Sequence, residues 1–292
     1  MIAAPSPLRE ASASFVRDRI ALAAMVLLCL LLTAALGASL LSPQNPYDLA
    51  QLDILDARLA PGSASSAGGT YWLGSDGQGR DLLSAILYGL RISLGVGILS
   101  TLVALALGLA IGLASARAGG WIDALVMRVV DLQLSFPSIL VALILLAVAG
   151  QGVDRIIVAL IVVQWAYYAR TVRGAALVEL KREYVDAAVC AGYGEARILF
   201  RHVLPNVLPP LIVVATVQVA HAIALEATLS FLGLGLPITE PSLGLLIANG
   251  YTYLLAGQYW ISMFPGLALL LTIVAINLVG DRLRDVLNPR LQ

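Results

Sequence analysis

Along this chain apolar residues come in long unbroken runs, with polar residues clustered between them. A helix needs about 20 apolar residues to cross the hydrocarbon core of a bilayer. Runs of that kind lie at Ile20–Leu41, Ile92–Ala116, Leu132–Gly152, Val207–Leu225 and Trp260–Gly280. A shorter run, Ile156–Ala169, is flanked by Arg155 and Arg170, whose long side chains can snorkel to the interfaces. The pattern predicts six membrane-spanning helices. The first run is too long for a signal-peptide core, although "ALGAS" has the small residues of a cleavage site, so it reads as an uncleaved anchor. Pro209 and Pro210 suit the N-terminus of the fifth span. Pro241–Trp260 carries no charge, but its Pro, Gly, Asn, Gln and Tyr residues predict an interfacial or partly re-entrant segment and not a seventh span.

Composition agrees with the periodicity. Hydrophobic residues make up 60% and charged residues 12% of the chain, with mean hydropathy +0.90. Soluble domains hold about 45–50% and about 25%, so this chain reads as an integral membrane protein. Formal net charge is zero, and nothing suggests a nucleic-acid partner. Cys29 and Cys190 form no CxxC or Cys/His cluster and read as packing residues, with no metal site. Basic residues favour the cytoplasmic side. Placing both termini there leaves only Arg58, Arg80, Arg91 and Arg155 outside.

One stretch departs from the apolar pattern: "EYVDAAVCAGYGEARILFRHVLPN", Glu183–Asn206. Tyr184, Ala187, Ala188 and Ala191 recur at helical spacing and form one stripe, with Glu183 and Asp186 off it at the helix N-terminus. Gly192 and Gly194 permit a sharp turn. Ala196, Leu199, Phe200 and Val203 repeat the spacing, Arg197 and Arg201 lie opposite, and Pro205 predicts an end near Leu204. The reading is a short helix, a turn and a second short helix at the membrane surface. Periodicity leaves open whether this is a surface-lying amphipathic loop or a docking knob for a partner.

Asp186-Ala187-Ala188, then Gly192, then His202-Val203-Leu204-Pro205 resembles the EAA loop of ABC importer permeases, with Asp186 for Glu and His202 for Ile. "LGSDGQGRDLLSAILYGLRISL" (Leu73–Leu94), "EATLSFLGLG" (Glu226–Gly235) and "GDRLRDVLNPRLQ" (Gly280–Gln292) resemble signatures of the dipeptide/oligopeptide/nickel branch. Ser75 stands there for Thr, Asn288 for Asp, and Leu243 for the Trp that follows Pro-Ser. The resemblance implies an all-α membrane protein of the type I ABC importer permease fold, and a C-type permease subunit. It implies a cytoplasmic N-terminus 1–19, an anchor helix 20–41, an extracytoplasmic loop 42–90, a permease core 91–281 and a cytoplasmic tail 282–292. Spans in that core fall near 92–116, 132–152, 153–172, 209–228 and 260–280, with the coupling loop at 183–206. It further implies a paralogous permease as heterodimer partner, two ATP-binding subunits, and an extracytoplasmic substrate-binding protein. Glu183, Tyr184, Asp186, Ala187, Ala188, Ala191, Gly192, His202, Leu204 and Pro205 would contact an ATPase.

The chain carries no GxxxxGK[ST] phosphate loop; its single lysine, Lys181, follows Leu180. ATP and Mg would therefore be bound by partner subunits, and the chain is expected to bind no cofactor and to be no enzyme itself. Neither GxSxG nor HExxH appears. A secondary transporter would show more intramembrane charge or paired broken helices. Asp131, His221 and Glu226, in or beside spans, are candidate translocation-path or structural residues because burying ionisable groups is costly. His221 and Glu226 lie about 140° apart around a helix, and Gln218 is a candidate hydrogen-bond partner for His221. Few intramembrane charges favour a peptide cargo over nickel, which calls for clustered imidazole, carboxylate or thiolate ligands.

Overall fold

Asp18 opens the first helix, α1 (Arg19–Leu36): its carboxylate accepts from the Ile20 and Ala21 N–H groups at 2.9 and 3.2 Å. The computed structural model describes residues 18–48, 52–66 and 68–287. The N-terminal segment with Arg9 and Arg17, and the tail residues Asn288 and Arg290, lie outside the described residues. A further turn, Ala38–Leu41, follows α1.

Residues 52–81 fold on a buried carboxylate. Asp56 accepts from the Tyr71 hydroxyl at 2.9 Å and from the Ser65 hydroxyl and the Ser66 N–H at 3.0 Å. These bonds hold a small antiparallel hairpin, β1 (Ser63–Ala64) and β2 (Thr70–Tyr71). Next, the Arg80 side chain, 1% exposed, donates from Nε to Asp76 Oδ2 at 2.6 Å. Asp81 caps α2 (Leu82–Ala118) by accepting from the Ser84 N–H at 2.8 Å. The predicted amphipathic helix and the second span are thus one continuous helix of 37 residues.

The third apolar run is not one helix. The chain forms α3 (Gly120–Ser135) and α4 (Ser138–Ala149), bent by 89° between them. Pro137 lacks an N–H and forces Phe136 out of helical geometry, to φ −91° and ψ 140°. The expected span 132–152 is corrected accordingly.

Helix α5 (Val153–Glu179) starts where the expected span 153–172 does and runs seven residues past its end. It crosses α2 at Gly108 and Gly112, where a methyl group at Gly108 would come within 2.3 Å of the Tyr168 Cβ. Small residues four apart let two helix backbones approach in this way.

Beyond α5 come α6 (Glu183–Cys190), α7 (Glu195–Ile198), a π turn at Leu199–Val203, and α8 (Leu204–Phe231). The uncharged segment 241–260 contains α9 (Leu243–Tyr251), whose 9 residues are too few to cross a bilayer. Leu243, Leu245 and Leu246 are buried within the bundle, so the segment packs on protein. The last helix is α10 (Trp260–Leu287). Helices α1, α2, α5, the continuous stretch Glu195–Phe231, and α10 are long and apolar enough to cross a membrane. The bent pair α3–α4 makes a sixth if it counts as one span.

Candidate functional site

The helix pair at 183–203 is built around one glycine. At the end of α6, Gly192 N–H donates to Val189 O at 2.9 Å and Tyr193 N–H to Ala188 O at 3.1 Å. This six-to-one and five-to-two closure is a Schellman motif, and it needs a left-handed residue at the first of the two donors. Gly192 supplies it with φ +75°. Gly194, expected to share that task, has an ordinary φ of −65°.

The second half departs from expectation. Pro205 does not end a helix; it occupies the first turn of α8, and Pro209 and Pro210 lie inside that helix. A proline cannot donate to the carbonyl four residues back, and its ring crowds that carbonyl. The π turn just before Pro205 widens the backbone there, so helix continues from Glu195 to Phe231.

The faces also divide differently from the predicted stripes. Val185, Ala188, Ile198, Val203 and Val207 are buried against Leu113 and Ala116 of α2 and Val172 and Ala176 of α5. Ala188 therefore faces this chain's own bundle. Ala187 and Ala191 are bare, as are Glu183 and Asp186, while Phe200 is exposed and not on a packed stripe. Tyr184 is held in place: its hydroxyl donates to Glu179 Oε2 at 2.6 Å and accepts from Asn206 Nδ2 at 3.1 Å. Partial burial, then the bond to Glu179, raise the Tyr184 pKa above the usual phenol value. Asn206 Nδ2 also donates to the His202 carbonyl at 2.7 Å. The His202 ring stacks on Tyr193, centroids 5.9 Å apart, and the Arg197 guanidinium lies 4.4 Å from the centre of the Tyr193 ring. Glu195 pairs with Arg117 at the end of α2. Leu204 is half-buried and Pro205 exposed.

Among the ionisable residues singled out from sequence, Asp131 pairs with Arg170 on α5, both about half exposed. Glu226 is fully buried and accepts from the Ser93 and Ser230 hydroxyls at 2.9 and 2.8 Å. His221 is exposed on the other side of α8 and makes no hydrogen bond with Gln218, whose Nε2 is buried without a partner. Both cysteines are exposed, contrary to the packing role expected for them. A partly buried ion pair, which periodicity does not reveal, joins Arg173 Nε to Asp123 Oδ1 at 3.1 Å. The Ser115 hydroxyl donates to the same carboxylate at 2.6 Å.

Beside the helix pair lies a cavity of about 820 Å³ between α5, α8 and α10. Tyr167, Thr171 and Glu179 line it from α5, and Asp281 and Arg284 from α10. Asn206, Pro209, Pro210, Val213, Val214, Val217 and Gln218 line it from α8. Tyr184, through Glu179 and Asn206, thus links α6 directly to two of the cavity's walls.

Residues 104–292 match the family model described as "Binding-protein-dependent transport system inner membrane component". Residues 6–61 match the "N-terminal TM domain of oligopeptide transport permease C". The chain is 38% identical over 289 residues to a di/tripeptide transport system permease protein, DppC, of Pseudomonas aeruginosa, covering 99% of this chain and 94% of that protein. It is 36% identical over 287 residues to the glutathione transport system permease protein GsiD of Pectobacterium atrosepticum, covering 98% and 92%. In structure it is similar to a chain of the MetNI methionine ABC transporter in an inward-facing conformation. The TM-score is 0.57 at 21% identity, over 70% of this chain and 96% of that one. The chain is thus a C-type ABC importer permease, belonging to the binding-protein-dependent transport system inner membrane components.

Proposed function

We propose that this chain imports dipeptides or oligopeptides as one of two paralogous permeases, driven by two ATPase subunits and fed by an extracytoplasmic binding protein. The peptide and glutathione permeases it is similar to support a small-peptide cargo. ATP and Mg are bound by the partner ATPases. Both termini and the helix pair 183–206 lie in the cytoplasm, and residues 42–90 lie outside.

One observation carries the coupling role. The Schellman turn at Gly192 leaves Ala187 and Ala191 bare while Val185 and Ala188 anchor α6 to the bundle. Bare alanines let another protein surface approach a helix backbone closely, and the anchored face passes that contact on to α2 and α5. Continuous helix from Glu195 to Phe231 gives a second rigid route, from the loop to the cavity wall. A rigid connection transmits displacement, whereas a flexible linker would absorb it.

The test is substitution within the reconstituted importer. Gly192→Val meets no neighbour within 4 Å, so its effect comes only from φ +75°. Such backbone strain costs on the order of 1–3 kcal/mol. Ala187→Arg places bulk and charge on the bare face. Both variants should reach the membrane at normal abundance yet lose ATPase co-purification and peptide uptake. Normal uptake in both would show that the loop is only a surface helix. Nickel uptake without peptide uptake by the unaltered importer would replace the cargo assignment.

A further inference from the structure

The cavity between α5, α8 and α10 has a wall that its own chain leaves incomplete. Gln218 is 8% exposed and lines the cavity, and its Nε2 has no hydrogen-bond partner. A buried amide without a partner is costly, so such a group marks a place where something else supplies the bond. Asn206, 12 residues nearer the helix start, also lines the cavity from α8, and Tyr167 and Thr171 line it from α5. Glu179 and Asp281 are the carboxylates of the lining.

We propose that this cavity is a transient binding site for the backbone of the transported peptide, with the Gln218 carboxamide hydrogen-bonding a peptide group. The proposal rests on the peptide-importer reading and adds the recognition chemistry. A carboxamide carries both donor and acceptor, as a peptide group does, so it reads main chain and ignores side-chain identity. The apolar part of the lining, Val213, Val214 and Val217 among it, accepts varied side chains without demanding any one. The volume, about 820 Å³, falls within the roughly 300–1,000 Å³ of pockets that hold small organic ligands. A lipid chain is a poor occupant, because it would leave the buried Gln218 Nε2 without a partner. A single neutral hydrogen bond changes affinity only about three- to tenfold, weak enough for cargo to leave again.

The test uses the whole importer in proteoliposomes, with its binding protein and ATPases and a tripeptide carrying a photoreactive diazirine. Illumination during turnover should attach the tripeptide to the α8 segment containing residues 213–218. Gln218→Leu should lower peptide uptake by about three- to tenfold, as one lost hydrogen bond predicts, while ATPase co-purification and membrane abundance stay unchanged. Gln218→Asn, which keeps the carboxamide, should recover part of the uptake. Wild-type uptake in Gln218→Leu, or attachment confined to the paralogous subunit, overturns the site while leaving the importer reading intact. An unaltered importer that moves no peptide overturns both.

Discussion

Replacing Gly108 and Gly112 by alanine tests the close crossing of α2 and α5. An added methyl at Gly108 would lie 2.3 Å from the Tyr168 Cβ and 2.7 Å from the Trp165 carbonyl oxygen. At Gly112 it would lie 2.6 Å from the Ala169 carbonyl oxygen and 2.8 Å from the Val172 Cβ. Favourable carbon contacts fall at about 3.5–4.0 Å, so α2 and α5 must separate by roughly 1 Å. These neighbours are backbone atoms and Cβ carbons, which no rotamer change can move aside. A gap of that size forfeits roughly a quarter to a half of the dispersion attraction along the crossing. Overpacking of this kind costs roughly 1–3 kcal/mol, against which alanine recovers about 0.5–1 kcal/mol of helix propensity. The double variant should therefore lose stability, by less than the sum of the singles because the two sites share one crossing. Gly95→Ala is the control on the same helix, since nothing lies within 4 Å of an added methyl there. Thermal denaturation in detergent, with membrane abundance alongside, reads the effect. A double variant that melts no lower than Gly95→Ala would refute close backbone approach as the basis of this crossing.

Glu226→Ala strands the Ser93 and Ser230 hydroxyls in the bundle and should destabilise it by about 2–4 kcal/mol, whereas Glu226→Gln should stay within about 1 kcal/mol; equal melting of the two would reject the serine clasp. At Asp56 burial raises the carboxyl pKa, but bonds from Ser66, Tyr71 and Ser65 outweigh it and leave the net value lowered. Its stabilising contribution is therefore present above about pH 4 and is lost as pH falls through the lowered value. Proteolysis of the 52–81 region should rise on acidification, and less steeply in Asp56→Asn; parallel pH profiles would count against this. A reporter fused after Gln292 should be active only in the cytoplasm, and activity outside would overturn the six-span orientation.

Much of the architecture is legible from period and length alone. The run at Trp260–Gly280 lies within α10, and the charge-free segment before it is a packed short helix because its polar residues could not be left in lipid. Gly192 is legible for a different reason. A helical stripe followed by glycine and then a second stripe admits few backbone routes, and one of them is the left-handed turn observed. Gln218 is visible as a polar residue in an apolar span, but its environment depends on α5 and α10, tens of residues away in sequence. The same holds for Arg173 and Asp123, which are 50 residues apart. No local pattern brings such partners together.

Proline shows where one-dimensional rules stop working. The same residue type breaks the third apolar run at Pro137, yet is carried inside a continuous helix at Pro209 and Pro210. Local chemistry does not separate the cases, because each proline lacks the same donor and crowds the same upstream carbonyl. What differs is the surrounding structure. Ahead of Pro205 the backbone opens into a π turn, and Val203, Val207 and Leu211 are buried against α2 and α5, holding that stretch in line. Around Pro137, Phe136 is exposed and Ser138 only half-buried, so packing does not oppose the extended conformation that a residue before proline prefers. Burial on both sides of a proline therefore decides whether the helix bends at it or runs on. That burial is a tertiary property, beyond the reach of the hydrophobic pattern.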